Sequence, residues 1–283
     1  MGSYEVEPKL TEDGFLSRHY SAIINPKNQD KTKYMTIILH GQTSNLDKWN
    51  DRCQQIRKAI NNNVVIAIQA PIEGTKLDEK TNTVVPAYSW LDIDNPLVKL
   101  TDFALHLTTG IPVVNRLEKF IDTQAERYGV EKKNIAIMGH SMGGILALQL
   151  AFNSTVPHGA IFGTGTALLP FTRKKSEPHL FLAMGSEDDI FNKKEAPNNK
   201  KGLSKLFNKA VKALFSMQQN STVARLGRKK IAYSYRTYPN QTHEIAHEMW
   251  ADGVTHVVAH LVSKHHAVKC NKRLMKNSRA LIG

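Results

Sequence analysis

Short apolar runs recur along the chain, each about the length of one buried strand, with amphipathic stretches between them. Lys33–Leu39 (KYMTIIL), Val64–Ile68, Ile135–Met138, Gly159–Phe162 and His179–Met184 read as strands buried on both faces. Ile231–Tyr238 alternates as a half-buried strand does, and Phe15–Ile24 as an edge strand or hairpin arm. Between the runs, Asn45–Ile60 sets Leu46, Trp49, Cys53, Ile56 and Ile60 on one face of a helix. Pro112 suits the first turn of a second helix reaching to about Tyr128, with Val114, Leu117, Ile121 and Ala125 in phase. Ile145–Phe152 reads as an apolar helix, Leu203–Met217 as a weakly amphipathic one, and residues 244–263 as the last. Residues 72–100 read as loop. Strands alternating with helices over most of the chain predict an α/β fold, with a mostly parallel central sheet and helices on both faces.

The length of 283 residues suits one large domain. No repeat or second core interrupts it, so the expected organisation is a single domain over 1–263, a basic insert at about 192–230 and a basic tail over 264–283. No apolar run approaches the roughly 18 residues of a membrane span. The opening MGSYEVEPKLTEDGF has no apolar leader core, so a cytoplasmic protein is expected, with peripheral membrane contact or non-classical export as further routes. Cys53 and Cys270 have no metal spacing and suit a reducing compartment.

The net charge of +13 is concentrated late in the chain: Glu195 is the only acid between residues 192 and 230. Neither basic segment forms a recognisable nucleic-acid module, so an anionic membrane surface is the better-matched partner.

The strand at Ile135–Met138 runs into Gly139-His140-Ser141-Met142-Gly143, a G-x-S-x-G sequence, followed by Gly144 and an apolar helix. Strand, tight turn with Ser at its apex, then helix is the context of a nucleophile elbow. Serine hydrolysis also needs a base and an acid to orient it. Asp188 follows the HLFLAM strand, with Asp189 as its rival, and His243 follows the last strand. The order Ser141, Asp188, His243 is that of α/β hydrolases. Backbone N–H groups of Met142 and of Gln42, in the loop after the first core strand, are the expected oxyanion donors.

A competing motif overlies the histidine. His243-Glu244-Ile245-Ala246-His247 is H-E-x-x-H, which on a helix would offer two zinc ligands with Glu244 as base. A third ligand is wanting: the extended motif requires Gly and His where Trp250 and Gly253 stand, and no Glu follows Glu248. Accordingly no metal and no cofactor is expected.

On six stretches the chain resembles the phospholipase/carboxylesterase family of α/β hydrolases, which includes acyl-protein thioesterases: IILHGQTSNLDKW (37–49), IQAP (68–71), YSWLDID (88–94), IAIMGHSMGG (135–144), GSEDDIF (185–191) and YPNQTHEIAHEMW (238–250). The resemblance spans roughly residues 33 to 263. It implies an α/β-hydrolase fold, Asp188 as the acid, His243 as the base and Glu248 as a further matching position. It also implies carboxylic ester or thioester substrates with an acyl chain in an apolar groove. Met142 and Met184 stand where many members carry Gln and His, and the segment from Asp188 to His243 is lengthened by the basic insert. The alternatives are the zinc protease already described and a non-catalytic, basic surface-binding module.

Overall fold

The strands predicted to be buried on both faces form the middle of one sheet. The computed structural model describes residues 4–10, 15–21, 33–78, 81–90, 112–154, 158–169, 172, 174–188 and 218–262. Among the described residues ten strands form: β1 (Tyr4–Leu10), β2 (Leu16–Ser21), β3 (Tyr34–Leu39), β4 (Asn63–Gln69), β5 (Ile72–Asp78), β6 (Thr83–Ser89), β7 (Ile135–His140), β8 (Ala160–Thr164), β9 (Leu180–Gly185) and β10 (Tyr233–Tyr238). Eight of them form a sheet in the order β1-β2-β4-β3-β7-β8-β9-β10. From β4 to β10 neighbouring strands are parallel, and β2 and β1 add an antiparallel edge.

Period-two alternation divides the core between two layers. Ile37, Ile66, Ile137 and Leu182 face one side, with α2 (Pro112–Tyr128), α3 (Met142–Asn153) and α4 (Gln218–Arg228). Ile38, Val65, Met138 and Phe181 face the other, with α1 (Asn50–Ala59) and α5 (His247–Leu261). α3 is buried nearly all round, which is why its sequence is apolar without a polar face. The mostly parallel sheet with helices on both faces is an α/β-hydrolase fold.

Four departures from the sequence reading have local causes. Residues 72–78 and 83–89 are not loop: β5 and β6 pair antiparallel as a separate hairpin. Among its described side chains Ala87 alone is buried, so the strands carry no apolar alternation to reveal them. Leu77 and Val84, opposite one another in that hairpin, are the exposed large apolar side chains among the described residues. The first helix starts at Asn50 rather than Asn45, because Asp47–Trp49 forms a 3-10 turn that still buries Trp49. β1 has no counterpart in the sequence reading, and among the described residues it pairs with β2 at the sheet edge. Finally, α4 lies at the end of the segment read as a basic insert, and the helix expected over Leu203–Met217 lies outside the described residues.

The register brings the site loops side by side. Leu39 is level with Gly139, His140 with Thr164, Thr164 with Ala183, and Gly185 with Tyr238. Loops leaving these strands therefore emerge along one edge of the sheet, at the carboxyl ends where α/β folds build their sites.

Candidate active site

Ser141 sits between β7 and α3 with φ 53° and ψ −121°, a conformation rarely taken by a residue with a side chain. Such backbone strain costs about 1–3 kcal/mol and persists only where the surroundings enforce it. Here the enforcement is visible. The Ser141 N–H donates to the Thr164 carbonyl at 2.9 Å, and its own carbonyl accepts from Ile145 at 3.1 Å. The flanking glycines are dictated by close approach: a Cβ on Gly139 would lie 2.3 Å from the Gly143 oxygen, and one on Gly143 would lie 2.2 Å from the Leu39 oxygen. The turn thus folds tightly on itself and presses the start of α3 onto the end of β3. Met142 opens α3, so its N–H is among the first-turn donors left without an intrahelical partner.

Asp188 ends the turn after β9 and is fully buried. His243 stands on the loop between β10 and α5, and its Nδ1 lies 2.9 Å from Asp188 Oδ2. A carboxylate can only accept, so Nδ1 carries the proton and Nε2 is the basic nitrogen of the ring. Two further bonds tie the two loops: Glu187 N–H to the Gln241 carbonyl, and Asn240 N–H to Ser186 Oγ, each 2.9 Å. Asp189 lies outside the described residues.

The loop after β3 closes the site from the other side. A Cβ on Gly41 would stand 3.3 Å from Ser141 Cβ and 3.1 Å from the His140 ring. Gln42 accepts the Trp90 N–H on its side-chain oxygen at 3.0 Å, which anchors the loop. His40 is the second anchor. Its Nε2 accepts the Ala70 N–H at 3.0 Å, so Nδ1 must carry the proton that it donates to the Gly41 carbonyl at 2.7 Å. Burial holds this ring neutral, with its pKa pushed down to about 4. The Trp90 indole N–H donates to the His40 carbonyl at 2.7 Å.

Three participants were not assigned roles from sequence. His140, the first variable position of the elbow, lies 4.9 Å from the His243 ring, centre to centre. Its pKa is pushed down to about 3, mainly by burial and then by His243 and Arg52. Gly165, with φ +52°, lets both rings approach, since a Cβ there would stand 3.0 Å from His243 Cε1 and 3.3 Å from His140 Cε1. Its signal was a glycine one residue past a buried strand. Arg52 reaches the site from α1 and carried no motif.

The zinc reading does not survive the backbone. α5 begins at His247, and Ala246 before it is extended (φ −65°, ψ 154°), so His243 and His247 do not share a helical face. Glu244 precedes the helix, and Glu248 lies in its first turn. Among the described residues no three His, Cys, Asp or Glu side chains form a group able to hold a metal, and no helix is long and apolar enough to cross a membrane.

The strained Ser141 turn and the carboxylate-bound His243 thus lie at one edge of an α/β sheet, with the His140 ring 4.9 Å from that of His243. The phospholipase/carboxylesterase family model matches residues 19–228, and the chain belongs to that family, whose members act on esters. Solved structures share the fold. Esterase PE8 superposes with a TM-score of 0.59 at 16% identity, covering 81% of this chain and 94% of that one. Arabidopsis thaliana SOBER1 gives 0.56 at 14% identity, covering 81% and 100%. A carboxylesterase from Mesorhizobium loti gives 0.55 at 12% identity, covering 90% and 100%. No curated protein matches the chain in sequence.

Proposed function

We propose that the protein is a serine hydrolase that cleaves carboxylic esters or thioesters through an acyl-enzyme on Ser141. The observation that carries this reading is the bond from His243 Nδ1 to the buried Asp188 at 2.9 Å, on loops that emerge beside the strained Ser141 turn. In this mechanism Ser141 Oγ attacks the acyl carbon while His243 Nε2 takes its proton. The N–H groups of Met142 and Gln42 hold the oxyanion. The same proton passes to the departing alkoxide or thiolate, leaving the acyl group on Ser141. Water then attacks the ester carbon, His243 accepts its proton and returns it to Ser141, and the carboxylic acid departs. Asp188 keeps the ring oriented and stabilises the imidazolium without becoming protonated. No metal or organic cofactor enters these steps.

The substrates we infer carry an acyl chain, and the basic segments at 192–230 and 264–283 draw the protein to anionic headgroups. The test is hydrolysis of p-nitrophenyl esters from acetyl to palmitoyl, with fluorophosphonate labelling of the serine. Ser141→Ala is expected to lower turnover by a factor on the order of a million and to abolish labelling. Turnover retained in that variant would overturn the reading.

A further inference from the structure

The loop that carries His243 is held at its two ends by different parts of the molecule. Residues 240–243 are tied to the turn after β9, through Ser186, Glu187 and Asp188. Residues 244–246 lead into α5, whose N-cap Ala246 makes no side-chain capping bond. The Trp250 N–H of α5 donates to the Ala246 carbonyl at 3.1 Å, and among the described residues the side chain that reaches this second half from across the fold is Arg52. Its Nη2 donates to the Ile245 carbonyl at 3.1 Å, two residues after His243.

Arg52 is itself clasped. Its guanidinium carbon lies 5.3 Å from the centre of the Trp49 ring and 6.0 Å from that of Trp250, and the two indoles meet edge to face at 6.1 Å. Both indoles are buried. A planar cation between aromatic faces has few alternative positions, and a lysine ammonium could not reproduce the arrangement. Burial works against the charge, while Glu244, on the loop being held, and Asp51 favour it. Trp49 and Arg52 follow directly from the loop carrying Gly41 and Gln42, whereas Ile245 and Trp250 follow His243. One guanidinium therefore links the side of the site that would bind the oxyanion to the side that supplies the base.

We propose that Arg52 is a positioning residue of the reaction: clasped by Trp49 and Trp250, it fixes the Ile245 carbonyl and so the distance of His243 from Ser141. This role rests on the serine-hydrolase reading. Its expected signature is in turnover rather than binding, because a displacement of about 1 Å at a catalytic group costs on the order of 100-fold.

The experiment compares Arg52→Met and Arg52→Lys with wild type on one p-nitrophenyl ester, with kcat expressed per fluorophosphonate-titrated serine. Thermal unfolding of each variant is followed in parallel. Arg52→Met is expected to lose about 10- to 100-fold in kcat with KM within about twofold. Arg52→Lys, keeping a charge and a donor without the planar fork, should fall between it and wild type. Wild-type kcat per titrated site in folded Arg52→Met overturns the role, even if the protein melts earlier. Should Arg52→Met fail to fold, Arg52→Lys decides: lowered kcat at unchanged KM supports the role, and wild-type kcat overturns it. Wild-type protein that neither labels nor turns over ester overturns the serine-hydrolase reading and this role together, an outcome distinct from an active wild type with equally active variants.

Discussion

Gly165 shows how much of the site depends on a side chain that is missing. Its amide donates to the Ala183 carbonyl at 3.0 Å, and its left-handed backbone turns the chain beneath His243. Gly165→Ala would strain φ and drive a methyl group to 3.0 Å from His243 Cε1 and 3.1 Å from Nδ1. The ring would have to move, and the neighbouring imidazole of His140 limits where it can go. The expected result is a kcat lower by about 100-fold with KM close to wild type; steady-state kinetics on the variant that returned wild-type kcat would show that the ring can relocate freely. At this scale the sequence was informative where a residue type is demanded by chemistry. Serine, aspartate and histidine in order after strands stand out as candidates. Gly165, His140 and Arg52 do not, because their importance comes from what lies within a few ångströms of them across the fold.

The elbow is the element on which the site turns. Strand β7 and helix α3 are legible as apolar runs, and the glycines between them mark a tight turn. The reason for Gly143 is tertiary: a Cβ there would meet the Leu39 oxygen at 2.2 Å and the His40 oxygen at 2.5 Å, both backbone atoms that cannot swing aside. Gly143→Ala should therefore lift the start of α3, which carries Met142, from the end of β3, which leads into the Gln42 loop. Destabilisation of about 1–3 kcal/mol is expected, together with much slower labelling of Ser141. Denaturant melts and a labelling time course would check both, and a variant with unchanged labelling would sink the argument. The hairpin β5–β6 is the opposite case. Among its described side chains Ala87 alone is buried, so hydrophobic patterning says nothing of its strands, although the Ser44–Tyr88 bridge and the Asn45 bond to the Pro86 carbonyl seat them beside the Gln42 loop.

For the whole molecule, the buried and half-buried histidines set a pH response. Burial lowers His19, His40, His158 and His256 to about 4, and His140 to about 3, from the ordinary 6.5. The unfolded chain thus binds more protons than the native protein across that interval. Their contribution to stability is complete above about pH 6.5 and is lost as pH falls toward 4, with an upper bound on the order of 3 kcal/mol for each fully buried ring. Urea midpoints should therefore decline steadily from pH 7 to pH 4; a flat profile would mean that these rings are protonated in the native state or reached by water. What the sequence determined by itself was the α/β layering, because apolar runs of strand length must be buried on both faces, and the order of the chemical groups along the chain. Tertiary structure alone decided which groups meet. The parallel register aligns the ends of β3, β7, β8, β9 and β10, so that residues more than a hundred positions apart share one site. It also extended the chain at Ala246 and thereby separated His243 from His247, removing a helical metal motif that the linear pattern allowed. Local sequence carries periodicity, whereas proximity across the sheet is set by register and packing, which no short window of residues contains.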